Sequence, residues 1–476
     1  MIGRRAFAFV AAYVLWLGCV TAQQAAGDGE AEGAATTEPV LTSQQRVLGL
    51  VTIYAGAKQH FAWFEQVGDL NWDQAFMDFL PRVQKQQSLS EYYRVLKRFT
   101  ALLKDGHTSV YLPRALQVGL DRLPLTLDYL EDKWVVIERF PTPEIVQADV
   151  PVGSVLSAID GLPASKYFQR ELFPHVSAGN ERALRWKVNG RLFFPAGAEV
   201  RLKLQYPGGA VHDRRLRANS RSVEWTPALQ QRYLLPWGRP PAFESKTLAD
   251  GVLYVRYGRC DSTCARAFSR LVGSLPEPGP KALILDLRGN PGGSTPSRAA
   301  RELTDKPLTW YRWRTRWSSS YHEAQMQQMK PSERAAYLKR RGFPEGFAPG
   351  WFTPSAGGDN RLLPAEKHYA GPVVILTNVA TGSAAEDLTV LLHGNGRATV
   401  VGEPTSGSTG QPILLALPGG GRVRICTGQA HYPDGREFVG PGIRPDVPVN
   451  RTIKGVTEGR DEILQAALKL VRSRPE

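Results

Sequence analysis

Cysteine is scarce in this chain of 476 residues, with Cys19, Cys260, Cys264 and Cys426 as the whole complement. Cys260 and Cys264 stand four apart with no second pair to match them, so a zinc site is a poor reading. A local disulfide between them is the expectation in an oxidising compartment. Cys426 lies in an apolar strand and reads as an inert buried thiol. Long apolar runs are missing too: the stretch at residues 6–17 is short for a membrane span. Charge clusters are also absent. The formal net charge is +14, yet the longest basic groups are Arg214-Arg215 and Lys339-Arg340-Arg341. Such scatter argues for a solvated basic surface and against a nucleic-acid partner. No P-loop, H-E-x-x-H helix or G-x-S-x-G elbow competes for an active centre.

What is present supports a large globular protein. A hydrophobic content of 42% can fill sizeable cores, and the length implies two to four folding units. Residues 1–22 read as a secretory signal: Arg4 and Arg5, an apolar centre, then Val20-Thr21-Ala22 as a small-residue cleavage site. Cys19 after Gly18 raises lipid anchoring, but Trp16-Leu17 is a poor match to such signals, so cleavage near Ala22 is favoured. Export to a periplasm or to the outside is therefore expected, with no transmembrane span after cleavage. Residues 23–42 lack periodicity and read as a flexible linker.

Helical periodicity begins at Ser43 and continues to a second helix over residues 72–80, stopped by Pro81. A third helix opens on the capping box Ser88-Leu-Ser-Glu91 and is expected to end at Gly106, directly before His107. Residues 123–220 change to short strand-like runs between Gly and Pro turns, a small mostly-β module. From Val252 strands and helices alternate as in an α/β core, with a Trp- and Arg-rich insert near residues 310–365. The last helix is expected over residues 461–471.

Two stretches carry chemistry. The strand at residues 282–287 breaks into a loop holding Gly289, Gly292 and Gly293, whose amides can donate to an anion or an oxyanion. Glycines after a strand serve packing just as commonly. The strand at residues 372–378 leads to Thr381-Gly-Ser-Ala-Ala-Glu386, which puts Ser383 at a helix N-terminus with the Ala384 amide beside it. Ser383 is thus either a nucleophile or a simple cap.

The segments L-D-L-R-G-N-P-G-G, T-G-S-A-A-E, V-V-G-E-P-T-S-G, G-R-E-F-V-G-P-G-I-R-P-D and L-L-K-D-G-H-T resemble, in order, those of the C-terminal-processing (tail-specific) serine protease family. The resemblance runs from about Ser43 to the C-terminus. It implies an α/β protease core of crotonase-like ββα type (residues 221–476), an N-terminal helical domain (43–120) and a PDZ-like, mostly-β domain (121–220). Where the Ser/Lys branch has its lysine, this chain has Ser408, so it is more similar to the tricorn-core branch, which uses histidine. By that likeness Ser383 is the nucleophile, His107 the base and Glu437 the residue that helps position it. Gly106 stands where that branch has a serine, which leaves Glu437, Asp105 or water to orient His107, with Glu386 a further candidate. Gly292 or Gly293, with Ala384, would form the oxyanion hole. The resemblance implies protein or peptide substrates, with tail capture by the PDZ-like domain, and requires no metal or cofactor. A non-catalytic peptide- or ligand-binding protein on a degenerate protease fold is the alternative. A crotonase-like acyl-transfer enzyme is a third reading, disfavoured by the signal and the PDZ-like segment.

Overall fold

The structure, a computed structural model, describes residues 39–189, 192–220, 241–316, 351–352 and 361–473. The expected signal, most of the expected linker and most of the expected insert lie outside the described residues.

Three helices open the described chain. α1 (Ser43–His60) starts with a capping box in which Thr42 and Gln45 satisfy each other's backbone amides. α2 (Trp72–Gln84) starts at an Asn71 cap and runs through Pro81 rather than stopping there. The proline falls near its end, where the missing N–H costs a single bond. α3 (Leu89–Ala101) carries the Ser88–Glu91 capping box and buries Tyr92, Tyr93, Leu96 and Phe99. It ends at Ala101, short of the expected Gly106, and Lys104 (φ 46°) makes the left-handed turn that leads out. β1 (Ser109–Tyr111) then pairs with the late strand Arg422–Cys426, Ser109 opposite Arg424. The helices share one apolar core with Val390, Ile425 and Phe438 from the far end of the chain. A residue just before β1 is therefore held between the helices and the late strand Arg422–Cys426.

A six-strand antiparallel sheet follows, with five strands in the order β2 (Leu125–Leu130), β3 (Lys133–Arg139), β4 (Val155–Ile159), β5 (Glu199–Gln205) and β6 (Val211–Arg217), and the short strand Leu162–Pro163 paired off this path with β4. β5 alternates exposed and buried positions without a break, the period-2 pattern of a half-buried strand. Its core of Leu127, Trp134, Phe168 and Leu202 includes Val188 from α4 (Glu181–Asn189).

The largest part of the α/β region is a six-strand sheet. β7 (Phe243–Thr247) runs antiparallel to β8 (Val252–Tyr257). Beside β8 lie β9 (Ala282–Asp286), β10 (Val373–Thr377), β11 (Ala398–Gly402) and β12 (Val447–Pro448), all parallel. Every residue of β9 and β10 is buried, because α5 (Ser262–Gly273) and α6 (Ala384–Gly394) cover one face and α7 (Glu462–Arg472) the other. Asp286, fully buried at the end of β9, accepts from Tyr254 and from Arg288, which also grips the α7 cap Asp461. Burial alone would raise this carboxyl, but Arg288, Arg256 and Tyr254 hold it below its usual range.

The expected disulfide does not form: Cys260, Cys264 and Cys426 are free and buried. Asp261 caps α5 between the first two, and the chain sends them to different partners. Cys264 donates to the carbonyl of Ala242, while Cys260 faces the Asn290 side chain. Among the described residues, no helix is long and apolar enough to cross a membrane.

Candidate active site

Three loops leave the carboxyl ends of neighbouring parallel strands, where ligands of open α/β sheets bind. The loop after β9 carries Gly289 to Gly293, the loop after β10 leads to Ser383, and the loop after β11 ends at Ser408. The first two are laced together. Thr381 Oγ1 donates to the Leu287 carbonyl at 2.9 Å and the Gly382 amide to the Asn290 carbonyl at 3.0 Å. Gly292, at φ 99°, permits the closest approach: a Cβ there would lie 2.5 Å from Ser383 Cβ. Only a glycine lets the serine pack against this loop.

Ser383 caps α6 with φ 55° and ψ −130°, a conformation that costs an L residue roughly 1–3 kcal/mol. Its amide donates to the carbonyl of Ser408 (2.8 Å) and to Glu386 Oε2 (3.2 Å). Its hydroxyl lies 3.2 Å from Nε2 of His107. A residue from the helical end of the chain thus meets one from the sheet.

His107 is 8% exposed. Its backbone amide donates to Asp105 Oδ2 at 3.0 Å, and its carbonyl accepts from Arg424 Nε at 2.8 Å. Lys187, on α4, donates to the carbonyls of Gly106 (2.9 Å) and Ser177 (3.0 Å). Burial first, then Arg424 and Lys187, drive the imidazole well below its usual range, so it is neutral at neutral pH. The second ring nitrogen, Nδ1, lies 2.5 Å from Ser408 Oγ.

The carboxylates are arranged otherwise than the sequence suggests. Asp105 holds the His107 backbone, not its ring. Glu386, fully buried, accepts from Thr405 Oγ1 (2.5 Å), the Gly407 amide (2.8 Å) and the Ser408 amide (2.9 Å). Burial pushes it up to about 7 despite those donors. Glu437 is exposed and pairs through its backbone with His431, so it is not brought to the imidazole.

The amides narrow the expected anion cradle. Gly292 N–H donates to Asn290 Oδ1 at 2.9 Å and is committed. The amides of Gly293 and Ala384 have no acceptor among the described residues. Asn290, fully buried and also donating to the Tyr257 carbonyl at 2.7 Å, was not singled out from sequence. Its position in R-G-N-P-G-G is the signal: an amide side chain at a strand end can brace a turn at both faces. Ser408 was legible as a position without a lysine but not as a partner of His107, since 301 positions separate them.

Comparison with known proteins bears on this geometry. Residues 251–449, which contain all three loops, match the model of peptidase family S41. Over those residues the chain is similar to peptidase family S41. A carboxyl-terminal-processing protease of Synechocystis sp. is 27% identical over 222 residues, 46% of this chain and 43% of the relative. Carboxyl-terminal-processing peptidase 3 (chloroplastic) of Arabidopsis thaliana is 24% identical over 393 residues, 79% of this chain and 64% of the relative. The chain thus spans less than half of the first relative and just under two thirds of the second. The structure of mature CPAF complexed with lactacystin superposes with a TM-score of 0.70 at 17% identity, covering 91% of this chain and 99% of that one. That likeness extends the shared fold beyond the S41 segment, over the helices and the β module.

Proposed function

We propose that this chain is an exported serine endopeptidase of the S41 kind, with Ser383 as nucleophile and His107 as general base. One observation carries the reading: a backbone-strained serine has its hydroxyl 3.2 Å from Nε2 of a buried, neutral histidine. As Ser383 Oγ bonds to a peptide carbonyl carbon, its proton passes to Nε2 and then to the leaving amine. Water, deprotonated by the same nitrogen, then attacks the acyl-enzyme. The uncommitted amides of Gly293 and Ala384 would hold the oxyanion, each worth roughly 3 kcal/mol in related chemistry. Gly292 serves instead by letting Ser383 approach. The orienting role expected of Glu437 is not carried over.

The proposed domains are a helical unit (43–120), a PDZ-like unit (121–220) of antiparallel strands, and a crotonase-like core (221–476). Ser177, Asn180 and Lys187 of the PDZ-like unit bond to Asp105, Gly440 and Gly106, which supports delivery of a captured peptide tail beside Ser383. The tail would add as a strand to a sheet edge.

Labelling with a fluorophosphonate tests the proposal. A label on Ser383, abolished in Ser383→Ala and slowed ~10²-fold or more in His107→Ala, is the expected result. A folded protein that never labels would instead favour a ligand-binding protein on a silent protease fold.

A further inference from the structure

For Nε2 of His107 to take a proton from Ser383, Nδ1 must carry the ring's own hydrogen and something must accept it. A buried carboxylate is the usual acceptor. Here each nearby carboxylate is engaged elsewhere: Asp105 on the His107 backbone amide, Glu386 on the backbone and hydroxyl of residues 405–408, and Glu437 outside. What reaches Nδ1, at 2.5 Å, is the hydroxyl of Ser408.

We infer that Ser408 is the positioning residue of this site, its hydroxyl accepting from Nδ1–H of His107 while its backbone carbonyl holds the amide of Ser383. The inference rests on the proposed roles of Ser383 and His107. Three features converge on it. Ser408 is itself fixed at its amide by Glu386 Oε2 (2.9 Å) and at its carbonyl by the Ser383 N–H (2.8 Å). One residue therefore sets the distance between nucleophile and base. Room for it exists because residue 106 has no side chain: a Cβ on Gly106 would lie 2.4 Å from Ser408 Cβ and 2.2 Å from its Oγ. Lastly, Ser408 is 5% exposed, so water does not compete freely for Nδ1.

The chemistry differs from that of a carboxylate partner. A hydroxyl selects tautomer and ring orientation but offers no negative charge to an imidazolium. The Nδ1 hydrogen stays on Nδ1 throughout, and every proton transferred in the reaction passes through Nε2.

The first test uses the unaltered chain. Nitrogen NMR of selectively labelled histidine should find His107 with its hydrogen on Nδ1; a hydrogen on Nε2 overturns the inference whatever the variants do. In Ser408→Ala the labelling rate of Ser383 should fall ~100-fold, with a mixture of His107 tautomers. Ser408→Thr, which keeps the hydroxyl, should lose less than ~10-fold. The double variant Gly106→Ser with Ser408→Gly moves the hydroxyl across the gap and should recover most of the loss, while Gly106→Ser alone should not label. Wild-type tautomer and rate retained in Ser408→Ala would refute the positioning role. If the wild type itself fails to label, the peptidase proposal fails, and the tautomer measurement still judges Ser408.

Discussion

Ser383 holds a backbone conformation that only glycine adopts freely, and the surrounding loops sustain it through bonds to both sides of the turn. Strain of this kind persists where the fold over-determines a residue. It makes a prediction separable from chemistry. Ser383→Ala keeps the strained φ and loses the hydroxyl, whereas Ser383→Gly also relieves the strain. Both should be inert toward fluorophosphonate, yet Ser383→Gly should be the more stable of the two by about 1 kcal/mol. Equal denaturant midpoints with equal slopes would mean that the loop relaxes and stores no strain. Residue by residue, the sequence was most readable here. Ser383 and Ala384 lie at a helix start that local patterning reveals, whereas His107 is singled out only by its D-G-H-T motif, since the helix before it ends at Ala101. Glu437 was not brought to His107, since its segment pairs with His431 instead, a placement no local pattern encodes.

At the level of elements, the site exists because short connections from distant parts of the chain converge. β1 adds to the strand Arg422–Cys426 of a small separate sheet, and Arg424 of that strand holds the carbonyl of His107. α4 then reaches over with Lys187, which donates to Gly106 and Ser177. In Lys187→Met the stem still packs but both carbonyls lose a charged donor, a cost of about 1–3 kcal/mol in this half-buried setting. Lys187 is also one of two cations that disfavour the imidazolium of His107. Removing it makes His107 easier to protonate, so the acid side of the Ser383 labelling profile should move to higher pH. An unshifted profile with lowered stability would leave Lys187 a purely structural clamp. The elements themselves were largely legible: the strands of the β module, the buried β9 and β10, and the capped α1 and α3 all follow from periodicity and caps. The misreadings were at ends. Gly106 looked like a helix stop, but its lack of a side chain makes space for Ser408, and Lys104 supplies the turn. Pairings across the chain, such as that of β1, carry no local signature at all.

Across the whole molecule, neutral histidines sit at the joints. His107 joins the helical end to the sheet, and His175 joins α3 to the β module, with Nδ1 facing the Arg94 carbonyl and Nε2 accepting from Arg98 Nε. His60 lies buried at the end of α1 near Arg316. Burial, followed by the neighbouring arginines, lowers His60 and His175 to about 4. In the unfolded chain each takes a proton near pH 6.5, while in the fold each resists until about pH 4. The unfolded state therefore binds more protons across this window, and stability rises with pH through it. The contribution is fully present above 6.5 and is lost as pH falls toward 4, on the order of 1 kcal/mol per histidine once solvent screening is allowed for. In His175→Gln the amide can still accept from Arg98 and donate to the Arg94 carbonyl, but it cannot titrate. Thermal unfolding of that variant should match the wild type at pH 8 and fall away less steeply between pH 6.5 and 4. A slope identical to that of the wild type would show that the joint between helices and β module already opens, or protonates, in the folded state.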